Sequence, residues 1–534
     1  MKVLGVNLSH HASVCVVDNG KITFALENDR LSKIKAEEKN VLHCLNYLKN
    51  NYFDYISYTA FNINHSSKQE FYKKIIQDAL SINNIKYKEL IEFPYHHLTH
   101  SFSAYYNSGF KKAICLVIDN GGLSPTYKNK ELGQEVISIY KMEEDNYKDI
   151  LKIYSNNKNY YFEENNVASY PAVSTAGLFQ LAQNIFNYKE PGAVMGRASY
   201  GKENLKIPKI FNFEDNKIFL NLKFLNDLIY ANSNDEDDFC YAIQKQSTEV
   251  VIKYLKFIKK RFPDYSICLS GGFFQNCMTN YEIIKEGFDV FVDPVSHDGG
   301  TCIGLAQHIY KIKSKKKVFK YDNMYLGAVP NKITKLQIQN TVSSGKKFQE
   351  KQVEVSEVAS LINDNKTIAF FQGRSEFGPR ALGNRSLLYN PSDIFAKEKI
   401  NLIKNREWFR PYAGTVLYEN KDEWFNFFGK DETKYMSYAV KIKDDKKNII
   451  PGVRHIDDTC RVQTLKKTDN ENFHALIKEF QKISGIPIVL NTSLNIAGQP
   501  LVESLEDALN FIIYTDTDYL YLPEASLLVN KILL

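Results

Sequence analysis

The hydrophobic positions in the first half of the chain fall into short blocks typical of buried strands, separated by longer stretches with helical spacing. Val3–Leu8, Ser13–Val17 and Lys21–Leu26 are rich in apolar and β-branched residues. The tripeptide Asp18-Asn19-Gly20 joins the last two blocks and is a strong signal for a tight hairpin turn. The pattern therefore predicts antiparallel strands in this part of the chain.

Three further strands are predicted where apolar blocks run into turn residues. Lys111–Asp119 is followed by Asn-Gly-Gly, Tyr265–Ser270 by Gly271-Gly272, and Phe288–Asp293 by a proline. Strands that alternate with helical stretches favour an α/β architecture. Because ligands in such folds bind at strand ends, the residues after these strands are the first candidates for a site.

A change in composition divides the chain. Residues 311–351 are rich in Lys, Ser and Asn and have little periodicity, so we interpret them as the link between two domains. The predicted organisation is an N-terminal α/β domain over residues 1–320, a linker over residues 321–350, and a second α/β domain over residues 351–534.

The second domain repeats the alternation of strands and helices. Thr367–Gln372 and Ile486–Asn491 are predicted strands, with glycine turns and helical stretches between them. Ser504–Tyr514 is predicted to form a helix, because Ser504 is a typical N-cap and Asp507 stands at the third helical position.

The composition is that of a folded protein with several domains. Of 534 residues, 44% are hydrophobic and 24% are charged, which excludes a generally disordered chain. This length corresponds to about two to four domains. The balance of 68 Lys+Arg against 62 Asp+Glu is only mildly basic, and the dense basic stretch at residues 311–317 is interpreted as solvated linker. We therefore expect no nucleic-acid partner.

The sequence carries no signal for a membrane or an oxidising compartment. No apolar run approaches the roughly 18 residues that a membrane helix needs, and the strand-like N-terminus is not a signal peptide. The eight cysteines are scattered without a C-x-x-C pair, which favours reduced thiols. We expect a cytoplasmic protein without membrane contact, and a homodimer is the default oligomeric state.

Three histidines in the segment Tyr95–His100 form the first candidate cluster. On a helix, His96 and His100 would project from one face and could bind one metal ion; ordinary surface or capping histidines are the alternative. Asp119 and Asp298, each expected after a strand, could add two carboxylates, although an Asx turn also explains Asp119. Two histidines with two aspartates suit iron, manganese or zinc.

Two other segments of the N-terminal domain could contact substrate. Gly271 and Gly272 would let a nucleotide approach the backbone closely, and Asn276 is expected to open the following helix. His10 lies between two predicted strands, where it could be a general base, a phosphate contact or a structural turn residue. Lys35 follows an acidic and basic run and carries little signal of its own.

The C-terminal domain concentrates cations in glycine turns and near predicted strand ends. Arginine forks and lysine suit phosphates, while Ser and Asn supply neutral donors. The candidate anion-binding residues are Arg380, Lys404, Arg410, Arg461, Asn491 and Ser493. The alternatives are an RNA surface or a solvated charged face, and the alternation of these arginines with Gly, Pro and Phe disfavours the second.

Taken together, the motifs resemble one enzyme family. They are, in order, His10-x-Ala-Ser, His96-His-x-x-His100, Ser270-Gly-Gly, Asp298-Gly, Gly373-Arg-x-Glu-x-Gly-Pro-Arg-Ala-Leu-Gly383, Arg406-Glu-x-Phe-Arg-Pro411, Arg461-Val-Gln-Thr464 and Asn491-Thr-Ser-Leu-Asn495. This series resembles the O-carbamoyltransferases of nodulation-factor and antibiotic biosynthesis over nearly the whole chain. The resemblance implies an actin- and sugar-kinase-like N-terminal domain, related to the tRNA threonylcarbamoyl transferases, followed by a YrdC-like α/β domain.

The resemblance also implies roles for individual residues. The implied metal ligands are His96, His100, Asp119 and Asp298, with iron expected and manganese or zinc as alternatives. The implied transfer site contains His10 and Lys35. The residues implied to bind carbamoyl phosphate and ATP, with Mg²⁺ accompanying ATP, are Lys404, Arg410, Arg461 and Ser493, assisted by Arg380 and Asn491.

The implied activity has two steps. Carbamoyl-AMP is made from carbamoyl phosphate and ATP in the C-terminal domain, and the N-terminal domain transfers the carbamoyl group to a hydroxyl of a small molecule or sugar. The alternatives are a tRNA-modifying enzyme of the threonylcarbamoyl type and an inactive nucleotide-dependent regulator. One departure is clear: where the family usually has Gly-Lys-x-Met-Gly-Leu-Ala, this chain has Ala193 and Arg197 in the second and sixth positions.

Overall fold

The computed structural model of the chain describes residues 1–60, 66–127, 130–144, 146–156, 162–164, 166–171, 174–214, 217–231, 235–330, 338 and 348–532. These residues divide into two compact units. The first comprises Met1–Ser32 and Ala36–Asp322, and the second comprises Lys33–Lys35 and Asn323–Leu534. Of the predicted linker, residues 331–337 and 339–347 lie outside the described residues. Both units mix helices and strands, so the predicted α/β fold class is confirmed.

A five-stranded sheet opens the first unit. In sheet order its strands are Lys21–Glu27, Ser13–Asp18, Lys2–Asn7, Tyr52–Thr59 and Lys86–Glu92. The first three form an antiparallel meander, and the last two run parallel to Lys2–Asn7. Asn19 and Gly20 have φ values of 48° and 82°, which is the turn geometry that the Asp-Asn-Gly signal predicts.

The second sheet of this unit repeats the plan of the first. Its meander and two added parallel strands are, in sheet order, Asn146–Asn156, Gln134–Glu143, Lys112–Ile118, Ser266–Ser270 and Val290–Val292. Val167–Pro171 and Phe162–Glu164 extend the edge beside Asn146–Asn156. Two short hairpins pair Thr126–Tyr127 with Lys130–Glu131 and Phe211–Glu214 with Lys217–Leu220. Each sheet thus has a three-stranded antiparallel meander followed by two parallel strands in the same order.

Helices connect and cover these sheets. The described helices of the first unit are Asp29–Ser32, Leu42–Tyr47, Ser66–Ile82, His96–Ser108, Thr175–Ile185, Gly192–Ala198, Leu222–Ile229, Glu236–Arg261, Cys277–Lys285 and Thr301–Ser314, with 3-10 turns at Gly272–Gln275 and Asp298–Gly300. Thr301–Ser314 contacts both the strand Lys2–Asn7 and the helix His96–Ser108. A side chain at Gly304 would come within 2.2 Å of the Thr99 carbonyl oxygen, so this crossing requires glycine.

A ten-stranded sheet forms the centre of the second unit. In sheet order its strands are Phe348–Gln352, Leu527–Lys531, Tyr519–Leu522, Ile368–Phe371, Arg385–Tyr389, Ile488–Ser493, Ala413–Leu417, Thr459–Leu465, Ala439–Ile442 and Phe425–Asn426. Its helices are Val355–Asn363, Ala396–Lys404, Lys421–Trp424, Glu471–Ser484 and Leu505–Tyr514, with 3-10 turns at Tyr418–Asn420 and Pro523–Ala525. Ser504 and Asp507 form the predicted capping box of the last helix.

Two features of the whole chain bear on the predictions from composition. Across the part of the chain that the structure describes, no helix is both long and apolar enough to cross a bilayer. All eight cysteines are buried and none is in a disulfide.

Candidate metal centre and anion site

The helix His96–Ser108 carries the two candidate imidazole ligands. The helix forms because its apolar and small residues can be buried almost throughout, and eleven of its thirteen positions are buried. His96 and His100 lie one turn apart on one face, as predicted, and their Nε2 atoms are 3.3 Å apart. The helix thus presents two imidazoles to one point.

The two candidate carboxylates reach that point from different elements. Asp119 directly follows the strand Lys112–Ile118, as expected. Asp298 does not directly follow a strand: the predicted strand Phe288–Asp293 is only Val290–Val292, and Asp298 opens a 3-10 turn before the helix Thr301–Ser314. Close packing of that helix on His96–Ser108 brings the turn to the histidines.

The four side chains converge with the spacing of a metal coordination shell. His96 Nε2 lies 3.7 Å from Asp119 Oδ2 and 3.5 Å from Asp298 Oδ1, while His100 Nε2 lies 3.1 Å and 3.6 Å from the same two atoms. Ligands about 2.1 Å from one metal ion are separated by about 3.4 Å in tetrahedral and about 3.0 Å in octahedral geometry. The four donors therefore fit a single divalent ion.

The electrostatics of the cluster also favour a cation. Burial lowers the pKa of His96, but Asp298 and Asp119 outweigh it and raise the pKa to about 10. Burial likewise opposes the charged form of His100, whose pKa is nevertheless raised by the neighbouring carboxylates. Asp119 Oδ2 is buried without a well-aligned hydrogen bond. The buried Asp119 carboxylate and the half-buried Asp298 carboxylate thus stabilise positive charge at the place where the four donor atoms meet.

The segment that contains His10 lies beside this cluster. Ser9 is buried, and its Oγ lies 3.0 Å from Asp298 Oδ2, so Ser9 holds the carboxylate oxygen that does not face the histidines. His10 is exposed in the turn that follows the strand Lys2–Asn7, and its backbone oxygen accepts a hydrogen bond from Asn7. Its ring contacts that of His11 edge to face, with 4.7 Å between centroids.

The glycine turn after the strand Ser266–Ser270 reaches the same edge of the second sheet. Gly271 has a φ of 95°, and a side chain there would lie 2.3 Å from the Ile118 oxygen. A Cβ at Gly272 would lie 3.1 Å from Asp119 Oδ1, which places this turn beside a candidate ligand. Asn276 caps the helix Cys277–Lys285, as predicted, by accepting from the Thr279 amide.

Lys35 belongs with the second unit. Residues Lys33–Lys35 group with that unit, where Lys35 Nζ lies 3.4 Å from the Gln499 carbonyl oxygen. Within the first unit, therefore, the predicted metal ligands, His10, Gly271 and Gly272 are brought together, and Lys35 is not.

In the second unit, strand register gathers the candidate anion-binding residues. Ala413 pairs with both Arg461 and Asn491, so these three residues form one row across adjacent strands. Asn491 Nδ2 also lies 3.4 Å from the Ala381 oxygen, and Ala381 follows Arg380 in the glycine-rich loop. The strand pairing and hydrogen bonds join the four segments of the second unit that carry the six candidates, namely Arg380, Lys404 with Arg410, Arg461, and Asn491 with Ser493.

Two of the six candidate side chains donate hydrogen bonds to other groups of the protein. Lys404 is buried, and its ammonium donates to the Ser493 carbonyl, to Ser493 Oγ at 3.2 Å, and to the backbone and side-chain oxygens of Asn495 at 2.8 and 2.9 Å. Asn491 is fully buried, and its Nδ2 donates to Thr415 Oγ1 and Gln463 Oε1. A phosphate contact from Lys404 would have to replace one of these oxygens.

Glu376 organises the glycine-rich loop, and sequence reasoning gave it no role. Its Oε1 accepts from the backbone amides of Leu382, Asn384 and Arg385 at 2.7, 2.8 and 3.3 Å. The carboxylate thereby holds the loop that carries Arg380. The signal was present, since Glu376 lies inside the quoted motif.

The residues that depart from the family pattern have a structural explanation. Arg197 lies on the helix Gly192–Ala198, and its guanidinium pairs with Glu236, at 3.3 Å, and with Asp237. Both carboxylates belong to the first turn of the helix Glu236–Arg261. Ala193 is fully buried. Arg197 therefore joins two helices through an ion pair.

Comparison with known families agrees with the resemblance in the motifs. The family described as "Carbamoyltransferase N-terminus" matches residues 46–307, and the family described as "Carbamoyltransferase C-terminus" matches residues 359–530. The four candidate metal ligands lie in the first match, and the six candidate anion-binding residues lie in the second. His10 and Lys35 precede both.

Several curated proteins are similar to this chain, two of the three described here along most of their length. The chain is 28% identical to an uncharacterised protein of Methanocaldococcus jannaschii, covering 99% of this chain and 100% of that protein. It is 28% identical to the nodulation protein NolNO of Sinorhizobium fredii, covering 95% and 77%. It is 32% identical to the nodulation protein U of Azorhizobium caulinodans, covering 44% and 40%.

The solved structures that are similar to this chain superpose on about 60% of it, with low TM-scores. A crystal structure of full-length HypF in a phosphate- and nucleotide-bound form has a TM-score of 0.37 and 15% identity, covering 60% of this chain and 56% of that chain. A ROK hexokinase from Thermus thermophilus has a TM-score of 0.31 and 10% identity, covering 59% and 100%.

Proposed function

The chain belongs to the carbamoyltransferase family, and we propose that it is an ATP-dependent O-carbamoyltransferase that works in two steps. The second unit makes carbamoyl-AMP, and the first unit transfers the carbamoyl group to a hydroxyl of a small molecule or sugar. One observation carries the proposal: the His and Asp cluster lies within residues 46–307, and the cationic cluster lies within residues 359–530.

In the first step, a YrdC-like second unit adenylates the carbamoyl group. Water releases phosphate from carbamoyl phosphate, and an oxygen of the resulting carbamate attacks the α-phosphorus of ATP, so that pyrophosphate leaves with the electron pair of the broken P–O bond. Arg380, Arg410 and Arg461 neutralise charge on the phosphates. Lys404 shapes the loop around Ser493, and Mg²⁺ accompanies ATP.

In the second step, the acceptor oxygen attacks the carbamoyl carbon and AMP leaves with the electrons of the broken C–O bond. His96, His100, Asp119 and Asp298 would hold a divalent transition metal, which when bound supplies Lewis acidity toward the carbamoyl oxygen. His10 is the candidate base that takes the hydroxyl proton. The exposed position of His10 beside Ser9 and Asp298 supports this role.

The test of the overall function uses the full chain with ATP and carbamoyl phosphate. We expect release of pyrophosphate that requires both substrates, together with formation of carbamoyl-AMP. Candidate hydroxyl compounds are then screened by mass spectrometry for addition of one carbamoyl group. Folded protein that releases no pyrophosphate under these conditions would contradict the first step and favour a regulator without catalysis.

We also propose that the protein works in the cytoplasm. The eight buried cysteines without a disulfide support this location, because cytosolic glutathione and thioredoxin keep thiols reduced.

A further inference from the structure

A second group of buried ionisable side chains lies next to the metal cluster, and the proposed reaction does not use it. Glu27 Oε2 accepts from Arg30 Nη2 at 2.9 Å and from Arg30 Nε at 3.3 Å. Glu27 Oε1 lies 3.2 Å from His297 Nε2, and neither of these two atoms has a hydrogen bond to another group among the described residues. All three side chains are buried. His297 directly precedes Asp298.

The hydrogen bonds fix the proton position on His297. The backbone amide of Gly299 donates to His297 Nδ1 at 2.9 Å, so Nδ1 carries a lone pair and no proton. The proton of the neutral ring is therefore on Nε2, where it faces Glu27 Oε1. The His11 ring packs against the same imidazole, with 4.4 Å between centroids.

This proton position argues against a second metal ion. His11, Glu27 and His297 each have a donor atom within 4.8 Å of the others, which is a spacing that a metal could bridge. However, a metal on His297 Nε2 needs a lone pair there and a proton on Nδ1, where the Gly299 amide already points. Arg30, Glu27 and His297 therefore form a chain of hydrogen-bonding side chains that ends at the Gly299 amide, and we call this chain the relay.

We infer that Glu27 and His297 are positioning residues for the metal ligand Asp298, an inference that rests on the proposed function of the four-residue site. The His297 ring caps the 3-10 turn Asp298–Gly300. Ser13 Oγ holds the far side of the turn by donating to the Gly299 oxygen at 2.8 Å. This support sets the direction in which the Asp298 carboxylate meets the two ligand histidines.

Glu27 must accept a proton contact at both carboxylate oxygens, one facing Arg30 and the other facing His297. A near-isosteric glutamine has only one acceptor oxygen and cannot do both. Arg30 has only donors, so the amide oxygen of a Glu27→Gln side chain would face Arg30 and its NH₂ group would face His297 Nε2. His297 would then have to carry its proton on Nδ1, opposite the Gly299 amide. His297→Asn, in contrast, keeps a capping oxygen that does not depend on Glu27.

The test measures metal affinity of the metal-free full-length protein by Co²⁺ titration against a competing chelator. We expect Glu27→Gln to weaken Co²⁺ binding about 10- to 100-fold, as for other outer-shell partners. In the His297→Asn background, the same substitution should change affinity less than about threefold, because the relay is already bypassed. Glu236→Gln is the matched control: it neutralises one of the two carboxylates that pair with Arg197 in this unit and should leave Co²⁺ affinity unchanged.

A structural readout separates positioning from general destabilisation. Nitrogen-15 NMR of labelled histidines should find His297 protonated on Nε2 in the native protein and on Nδ1 in Glu27→Gln. Unchanged Co²⁺ affinity in Glu27→Gln, or an equal loss in both backgrounds, would overturn the inference. If Glu27→Gln does not fold, His297→Asn must bind Co²⁺ at least tenfold more tightly than His297→Ala. A native protein that binds no metal would instead reject the metal part of the proposed function.

Discussion

The Nε2 atoms of His96 and His100 lie 3.3 Å apart on successive turns of one helix. The helical repeat places the two side chains on one face, about 5–6 Å apart at Cβ, and their rotamers bring the ring nitrogens together. Two carboxylates complete the group from elements that are about 20 and 200 residues away in sequence. The cluster therefore depends on tertiary packing for half of its ligands.

The first prediction is that the protein binds about one transition-metal ion per chain. A His96→Ala/His100→Ala variant removes both nitrogen ligands and should lose the metal, as measured by elemental analysis after dialysis. Affinity for divalent metals follows the Irving–Williams order as well as the geometry of the site. The ion found after purification therefore need not be the physiological one.

His308 provides the control for that loss. It is a partly buried histidine of the same unit that stacks on Phe102, with 3.8 Å between centroids, outside the cluster. His308→Phe should keep the full metal content. Equal metal content in the double variant and the native protein would refute the ligand assignment.

The second prediction concerns Gly271. Its φ of 95° disfavours a side chain, and a Cβ there would lie 2.3 Å from the Ile118 carbonyl oxygen. Gly485 has a similar φ of 75° but open space around it. Gly485→Ala should therefore cost about 1 kcal/mol in unfolding free energy, whereas Gly271→Ala should cost clearly more or prevent folding. Urea unfolding measures both, and equal losses would mean that the Ile118 contact is unimportant.

The strands that the sequence predicts were recognisable because their apolar blocks are local signals. Lys111–Asp119 and Tyr265–Ser270 were predicted within one residue at each end of the strands Lys112–Ile118 and Ser266–Ser270. Phe288–Asp293 was too long, since only Val290–Val292 pairs in the sheet, and its last residue instead binds the Val295 amide through its side chain. That turn, rather than a strand end, leads to Asp298.

The supporting residues of the site were harder to predict, because their partners are remote in sequence. Glu135 and Lys152 form a buried ion pair of 2.7 Å across two strands, and neither residue stands in a recognisable motif. Glu27 and His297 are separated by 270 positions and meet only in the folded unit. A single sequence marks residues that could do chemistry, but not which of them are already bonded to each other.

The third prediction is a pH dependence of stability. Burial lowers the pKa of His308 to about 4, below the value of about 6.5 in an unfolded chain. As pH falls below about 6.5 the unfolded state binds a proton that the folded state does not, so stability is lost on acidification. The loss is about 1.4 kcal/mol per pH unit between roughly pH 6.5 and 4. His308→Phe keeps the stacked ring and should lose less stability between pH 7 and pH 5, measured by urea unfolding; an equal loss would contradict this assignment.

The fourth prediction tests the loop that Glu376 holds. Glu376→Ala leaves three buried amides without their acceptor, each at a cost of about 1–3 kcal/mol. We expect pyrophosphate release to fall more than tenfold, with a smaller loss in Glu376→Gln, which keeps an oxygen acceptor. Glu471→Ala, at an exposed helix position, should release pyrophosphate at the native rate. If Glu376→Ala released pyrophosphate at the native rate, the glycine-rich loop would have no role in the first step.

The fifth prediction concerns the division of labour between the two units. Arg461→Ala should slow formation of carbamoyl-AMP roughly ten- to hundredfold, because a lost charge-assisted contact costs about 1.5–3 kcal/mol. Given presynthesised carbamoyl-AMP, the same variant should still modify the acceptor. His10→Asn should behave in reverse, since asparagine keeps hydrogen-bonding capacity but cannot take a proton near neutral pH.

The two variants are controls for each other, because each is expected to keep the step that the other loses. Pyrophosphate release measures the first step, and mass spectrometry of the acceptor measures the second. A His10→Asn protein that transfers normally would make His10 a structural turn residue. A folded Arg461→Ala protein that loses both steps would contradict two separable sites, because removing a cation from the strand Thr459–Leu465 should not affect a transfer site built from His96, His100, Asp119 and Asp298.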